Sequence, residues 1–385
     1  MGTRETTSSA SSSSLADQLP ALILGGAGFS YQHHVSPESL PVTAILKRAF
    51  DLGIRCVDTS PYYEPSESLI GEALASHIVA NSYARSDYFL MTKVGRIGPN
   101  KFDYSPKWIR TSIARSLKRL STDYLDVVFV HDVEFMPLLT SLIAISTLFT
   151  IANERPGIIR NIGISGYDLP TITKLARLTR EHLHRPLDTV QVWAQLTLQN
   201  STLTTNAEYG IAALRDSGVQ CVFCSSPLAA GLLRDSGVPV GALGDWHPAP
   251  PDLREACLTA ATWVSEHSEM LTGKKCGLAS LALRSAIAKA WEIERGAGGG
   301  RLAVRTIVGI SSIEDLEENI KTARLCLKPR GSGGSDGIAP SDVLDETVAM
   351  RDQPLYQQIF KLLRPWLDYD LSTQRQIPDH TAGMI

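Results

Sequence analysis

The chain has 385 residues, 37 of them basic and 40 acidic, for a net charge of -3. That balance gives no reason to expect nucleic acid or an anionic membrane as a partner, and the length suits one large domain with additions. Six cysteines in so long a chain, with no charged-then-apolar leader at the N-terminus, point to a reducing compartment, the cytoplasm, and away from a disulfide scaffold.

Residues 1–17, rich in Ser and Thr, bury too little apolar surface to offset ordering entropy and are expected to form a disordered tail. After them, short β-type runs alternate with helix-type stretches. Strands are predicted to end near Gly25, Asp58, Lys93, His131, Ile164, Val192, Ser225 and Gly309. Helical periodicity or start signals cover 42–52, 66–79, 105–120, 169–180, 207–216 and 311–325. Eight alternations with crossovers long enough for parallel pairing predict an α/β fold, a (β/α)8 TIM barrel over residues 18–328. A doubly wound sheet is the alternative. Gly25-Gly-Ala-Gly28 looks like a nucleotide fingerprint but lacks the third glycine and the acidic residue about twenty positions on. It reads as a close-packed turn after the first strand.

The longest gap between strands, from Ser225 to Arg305, holds a Pro-rich patch at 246–251 and two helical stretches, which predicts additional rim loops. Gly-rich runs at 294–300 and 330–335 read as flexible. The second lies in a linker, 329–340, leading to a C-terminal helical extension, 341–385, that packs on the barrel. Cys221 and Cys224 sit three apart in an apolar run, which puts them on opposite strand faces as core thiols. Residues 138–152 carry no charge and are too short to span a bilayer. They read as a buried helix or as the contact of a homo-oligomer.

In such a barrel the C-terminal ends of several strands converge on one mouth. Asp58, Lys93 and His131 end the second, third and fourth strands, and Tyr63 lies in the loop that leaves the second. A phenol with a pKa of about 10 is a poor base near neutrality, and a neighbouring ammonium lowers it, which pairs Tyr63 with Lys93. Asp58 then holds the ammonium, and neutral His131 donates a hydrogen bond that orients the reacting oxygen. The set suits proton transfer beside hydride transfer by a cofactor, hence carbonyl/alcohol redox chemistry on a small molecule. His33, His34, His182, His184 and His247 have no comparable partners, and no metal site is predicted.

These residues carry a family resemblance. The chain resembles the aldo-keto reductases from about residue 20 to residue 325: the tetrad, the runs 157–165, 225–233 and 308–319, and Gln191 occur in order. The resemblance implies Tyr63 as general acid/base, Lys93 and Asp58 tuning it, and His131 orienting substrate. It places Ser165 and Gln191 on the nicotinamide amide, Ser226, Leu228 and Gly231 along the pyrophosphate, and Ser311, Asp315, Glu318 and Asn319 by the adenosine. This chain departs from the family at Gly166, where an asparagine usually supplies a further amide contact to the nicotinamide. It departs again at Glu64, where glycine is common. Members that prefer NADP carry Lys and Arg where Gly309 and Asp315 stand here. A carboxylate there repels a 2'-phosphate and accepts from ribose hydroxyls, so NAD is the expected cofactor. The competing reading of Asp315 is a helix cap.

Within the family, the runs 58–63, 104–106 and 131–135 are similar to the sugar dehydrogenases that act on D-arabinose and L-galactose. This implies oxidation of an aldose, D-arabinose-like, at its anomeric carbon to the aldonolactone. Trp108 and Trp193 read as apolar walls for the sugar beside His131, or equally as packing residues. An NADPH-dependent aldehyde or ketone reductase and a cofactor-sensing regulatory subunit with little turnover are the alternatives.

Overall fold

In a computed structural model that describes residues 15–239, 244, 247–273, 276–296, 302–330 and 336–372, the eight apolar runs form a closed, all-parallel barrel. Its strands are β1 (Leu22–Gly25), β2 (Cys56–Asp58), β3 (Phe89–Val94), β4 (Leu125–His131), β5 (Ile159–Gly166), β6 (Thr189–Trp193), β7 (Cys221–Ser225) and β8 (Ala303–Gly309). Each pairs with its sequence neighbours and β8 closes on β1. Alternation along the strands sorts the side chains. Ile23, Met91, Val127, Phe129, Cys221, Phe223 and Ile307 fill the interior, while Leu24, Leu90, Val128, Val130, Val222 and Cys224 pack outward against the helices. The two cysteines thus face opposite ways, and both are buried free thiols.

Among the described residues, eight helices cover the outside of the barrel: α1 (Val42–Asp51), α2 (Ser66–Ala75), α3 (Pro106–Arg119), α4 (Leu138–Glu154), α5 (Leu169–Leu183), α6 (Ile211–Asp216), α7 (Leu278–Gly296) and α8 (Ile313–Cys326). Short polar side chains start three of them by accepting an orphan N–H: Ser105 from Trp108, Asp168 from Thr171 and Ser312 from Asp315. Two helices are shorter than their sequence patterns. The 66–79 stretch breaks at Ser76, whose extended backbone starts a separate turn, His77–Ala80. The 207–216 stretch becomes helical only at Ile211, because Asn206 Oδ1 accepts the N–H groups of Glu208 and Tyr209 and holds a turn there. Helix α4, whose residues 138–152 carry no charge, buries Ala144, Ile145 and Leu148 and leaves Leu139 and Ile143 exposed.

The expected tail ends earlier than residue 17: Leu15–Gln18 forms a helical turn, Leu19 is fully buried in the bottom layer of the barrel, and residues 1–14 lie outside the described residues. Trp246 of the Pro-rich patch, residues 297–300 and 331–335 of the Gly-rich runs, and residues 373–385 of the extension also lie outside them. The extension begins as a strand, since Val343–Leu344 pairs antiparallel with Leu327–Lys328, and then forms the helix Glu346–Leu362. That helix packs with Pro251–Glu266 and α7 around Leu253, Leu281, Leu355 and Ile359, a second core over one rim. Arg284 of α7 pins it by a two-pronged, fully buried pair with Asp352 at 2.7 and 3.0 Å. Among the described residues, no helix is long and apolar enough to cross a membrane.

Candidate active site

The mouth of the barrel collects residues that are far apart in sequence. Asp58 is the last residue of β2 and Lys93 lies one residue before the end of β3, so the pleat brings their side chains together. Lys93 Nζ donates to both Asp58 oxygens, at 2.9 and 2.8 Å, and to the Thr59 carbonyl at 3.0 Å, so all three of its N–H groups are engaged. Tyr63 leans over this pair, its ring centroid 4.9 Å from the ammonium. His131 ends β4; its ring meets that of Tyr63 edge-on at 5.7 Å and its Nδ1 lies 3.1 Å from Ser60 Oγ. The predicted tetrad is therefore one cluster.

Burial governs its electrostatics. It pushes the Asp58 carboxyl up, against the pull of the Lys93 ammonium and the Gln191 amide. It pushes the His131 imidazole well below the usual range, helped by the cations Lys93 and Arg96, so the ring is neutral. The Tyr63 phenol departs from the sequence expectation. Burial and the Asp58 carboxylate hold it well above its ordinary value rather than below it. Loss of solvent around the phenol is the larger cause and the Asp58 carboxylate the next, while Lys93 gives its three donors to Asp58 and Thr59.

The implied cofactor residues follow the adjoining strands. Ser165 and Gln191 are register partners on β5 and β6. Gln191 Nε2 donates to Asp58 at 3.2 Å, while its Oε1 and the Ser165 hydroxyl are buried without partners among the described residues. Ser226 and Gly231 lie in the loop after β7, both with left-handed backbone (φ 58° and 99°), and Leu228 stands between them. Gly309, at the exposed end of β8, has open space where a side chain would begin. Asp315 does cap: its Oδ2 accepts the Ser311 N–H and hydroxyl at 3.0 and 2.7 Å. Asn319 donates to the Asp315 carbonyl, and Glu318 is exposed. The Glu64 carboxylate is turned outward to Arg119, at 2.9 Å.

Trp193 stands at the end of an aromatic chain that the sequence reading missed. Its ring meets Tyr167 at 5.1 Å, Tyr167 meets Phe135 at 6.4 Å, and Phe135 stacks on Phe102 at 5.4 Å. Arg96 completes the wall, with its guanidinium 4.1 Å from the Tyr62 ring and ion-paired to Asp132. Trp108 is placed elsewhere, in the first turn of α3 with Arg115 over its ring. Arg96 and Phe102 belong to a hairpin, Arg96–Gly98 with Lys101–Phe102, that rises from β3. Gly95 (φ 101°) lets the chain enter it, because a Cβ there would lie 2.3 Å from the Tyr104 ring. The Tyr104 hydroxyl in turn donates to the His131 carbonyl. Signals for these residues were weak, since hairpin and loop aromatics follow no periodicity. His247 is not a free loop residue either: it is buried, with Nε2 2.9 Å from the Ala229 carbonyl and Nδ1 accepting the Ala249 N–H.

Unpartnered buried oxygens beside a proton-handling cluster fit a polar planar ligand such as a nicotinamide. Comparison with known proteins agrees. Residues 21–330 match the aldo/keto reductase family. The chain is 40% identical over 298 residues to a D-arabinose 1-dehydrogenase of Saccharomyces cerevisiae, spanning 77% of this chain and 80% of that protein. It is 33% identical over 280 residues to an L-galactose dehydrogenase of Arabidopsis thaliana, spanning 72% and 76%. The solved holo form of an aldo-keto reductase from Bacillus halodurans shares the fold, with a TM-score of 0.54 at 20% identity over 88% of this chain and 95% of that one.

Proposed function

This chain belongs to the aldo/keto reductase family, and from that premise we propose that it catalyses NAD-dependent oxidation of an aldose of the D-arabinose type at its anomeric carbon, giving the aldonolactone. The observation that carries the reading is the meeting of Asp58, Tyr63, Lys93 and His131 at one mouth. Tyr63 takes the proton of the anomeric hydroxyl. Lys93, fixed by Asp58, supplies a positive charge beside the phenol as its proton leaves. Ser60 Oγ lies 3.1 Å from Nδ1 of neutral His131; in the tautomer in which that hydroxyl donates, Nε2 carries the hydrogen that orients the sugar oxygen. The Phe102–Phe135–Tyr167–Trp193 wall offers the apolar face of a sugar ring a stacking surface and keeps water from the reacting carbon. A nicotinamide held by Ser165 and Gln191 would supply the hydride acceptor that C1 needs. Asp315 beside Ser311, with no side chain at Gly309, leaves a negative rather than a positive group for the adenosine ribose, which favours NAD.

The test is NADH formation over a panel of aldoses that includes D-arabinose and L-galactose. D-arabinose is expected to lead, with kcat/KM higher for NAD than for NADP. One observation favours the opposite direction: a phenol held protonated is suited to donate, which is what an NADPH-dependent carbonyl reductase needs. No NADH from any aldose, together with rapid NADPH-driven reduction of simple aldehydes, would replace the first reading by the second.

A further inference from the structure

Gly166 has no side chain at the end of β5, and the coordinates give a reason in this chain: a Cβ there would lie 2.2 Å from Glu134 Oε2. Glu134 sits just past β4 in the turn Val133–Phe135 and is 1% exposed. Its Oε1 accepts the Tyr167 N–H at 2.7 Å, but Oε2 is buried without a partner among the described residues. Leaving a buried polar oxygen unsatisfied is destabilising, a cost that an apolar residue of similar shape would avoid. Two more unpartnered oxygens, Ser165 Oγ and Gln191 Oε1, come from the adjoining strands β5 and β6. A hydroxyl, an amide carbonyl and a carboxyl together offer both donors and acceptors. A primary carboxamide, with its N–H pair and its carbonyl, is the complement of that set.

We propose that Glu134 is a cofactor-binding residue: through Oε2, in the space Gly166 leaves open, it makes the contact to the nicotinamide carboxamide that an asparagine at position 166 would otherwise make. The proposal rests on the nicotinamide-dependent reading above. Burial and the neighbouring Asp132 raise the Glu134 carboxyl well above the usual carboxylate range, which favours the protonated form. Oε2 then carries a hydrogen to donate to the carboxamide oxygen, while Oε1 stays on the Tyr167 N–H. Gly166 and Glu134 form one device: a carboxyl from the β4 loop substitutes for a side chain on β5, and Glu134 in this position leaves no room for that side chain. Glutamine at 134 keeps a donor in the same place, whereas leucine keeps the bulk and removes it.

The experiment is direct titration of the full-length protein with NADH, followed by nucleotide fluorescence and alongside melting temperature, for wild type, Glu134→Gln, Glu134→Leu, Glu134→Ala and Glu134→Ala/Gly166→Asn. Glu134→Leu and Glu134→Ala are expected to weaken NADH binding by about tenfold, the scale of one lost hydrogen bond. Glu134→Gln stays within about threefold of wild type, and the double variant recovers most of what Glu134→Ala loses. Unchanged NADH affinity in Glu134→Leu overturns the proposal. So does a loss in Glu134→Gln that tracks a fallen melting temperature, which would leave Glu134 a purely structural role. A wild-type protein that binds neither NADH nor NADPH would remove the nicotinamide reading itself, an outcome distinct from tight wild-type binding that ignores position 134.

Discussion

Asp126 and Asp58 are both buried carboxylates facing cations, and they stand at opposite ends of the barrel. Asp126, near the start of β4, is met from several sides: Arg85 at 2.7 Å, Arg160 at 3.1 Å and the Leu90 N–H at 2.9 Å. The interior above it is closed by Leu19, Ile23 and Val127. Asp58, the last residue of β2, holds Lys93 just as closely, but beside it are a tyrosine, a neutral histidine and oxygens left unpartnered among the described residues. Backbone strain gathers at the same end. Asp132, Ala194 and Ser226 take left-handed backbone immediately after β4, β6 and β7, at a cost of roughly 1–2 kcal/mol each. Burial of charge is common to both ends. What marks the chemical end is charge beside polar groups left unsatisfied on strained backbone.

The sharpest way to break this comparison is to delete one oxygen at the upper end. Tyr63→Phe is expected to lower kcat by about 10²–10⁴-fold, the usual worth of a positioned acid or base, while the melting temperature stays near wild type. A variant that keeps more than a tenth of wild-type turnover would mean that Tyr63 is only a wall residue. The pH profile comes next. Because the Tyr63 phenol is held up and must lose its proton to act as a base, kcat/KM for aldose oxidation is expected to rise about tenfold per pH unit below the titration of the phenol. His131 is already neutral, so no inflection falls near pH 6.5. A plateau that begins there would assign the base role to the imidazole.

At the lower end the expected response is the reverse. Asp126→Ala removes the acceptor of two arginines and of the Leu90 N–H. Both arginines reach solvent to some degree, so the loss is about 2 kcal/mol of unfolding free energy rather than the full cost of a buried orphan charge. Urea unfolding measures it, and kcat below the unfolding transition should not move. A fall in kcat without loss of stability would show that the two ends are coupled and that the contrast drawn between them is too clean.

How far the sequence foretold the site follows the same division between regular and irregular backbone. Every barrel strand ends within two residues of its predicted place, because apolar runs and turn residues report strand pairing directly. The tetrad was legible because its members sit at or just past strand ends, where topology alone brings them together. The direction of the Tyr63 shift was not, since it is set first by burial of the ring and then by the Asp58 carboxylate, both of which depend on tertiary packing. Arg96, Phe102, Phe135 and Tyr167 were missed for a related reason: they project from a hairpin and loops whose conformation is set by tertiary contacts such as Tyr104 on Gly95.

The smallest effect tests whether the strain at the mouth is used. Ala230, in the loop after β7, is held at φ 55° between Ala229 (φ 47°) and Gly231 (φ 99°). Glycine takes this conformation without the Cβ clash, but it also adds freedom to the unfolded chain, and the two effects nearly cancel. Ala230→Gly is therefore expected to change unfolding free energy by no more than about 0.5 kcal/mol. Its effect on the cofactor should be larger than its effect on stability. A loop pre-set by three successive left-handed residues has less to order when a pyrophosphate docks, so loosening the middle one should weaken NADH binding by a few fold, read as a faster release rate in stopped flow. Unchanged release would show that the left-handed run only turns the chain toward the rim helices.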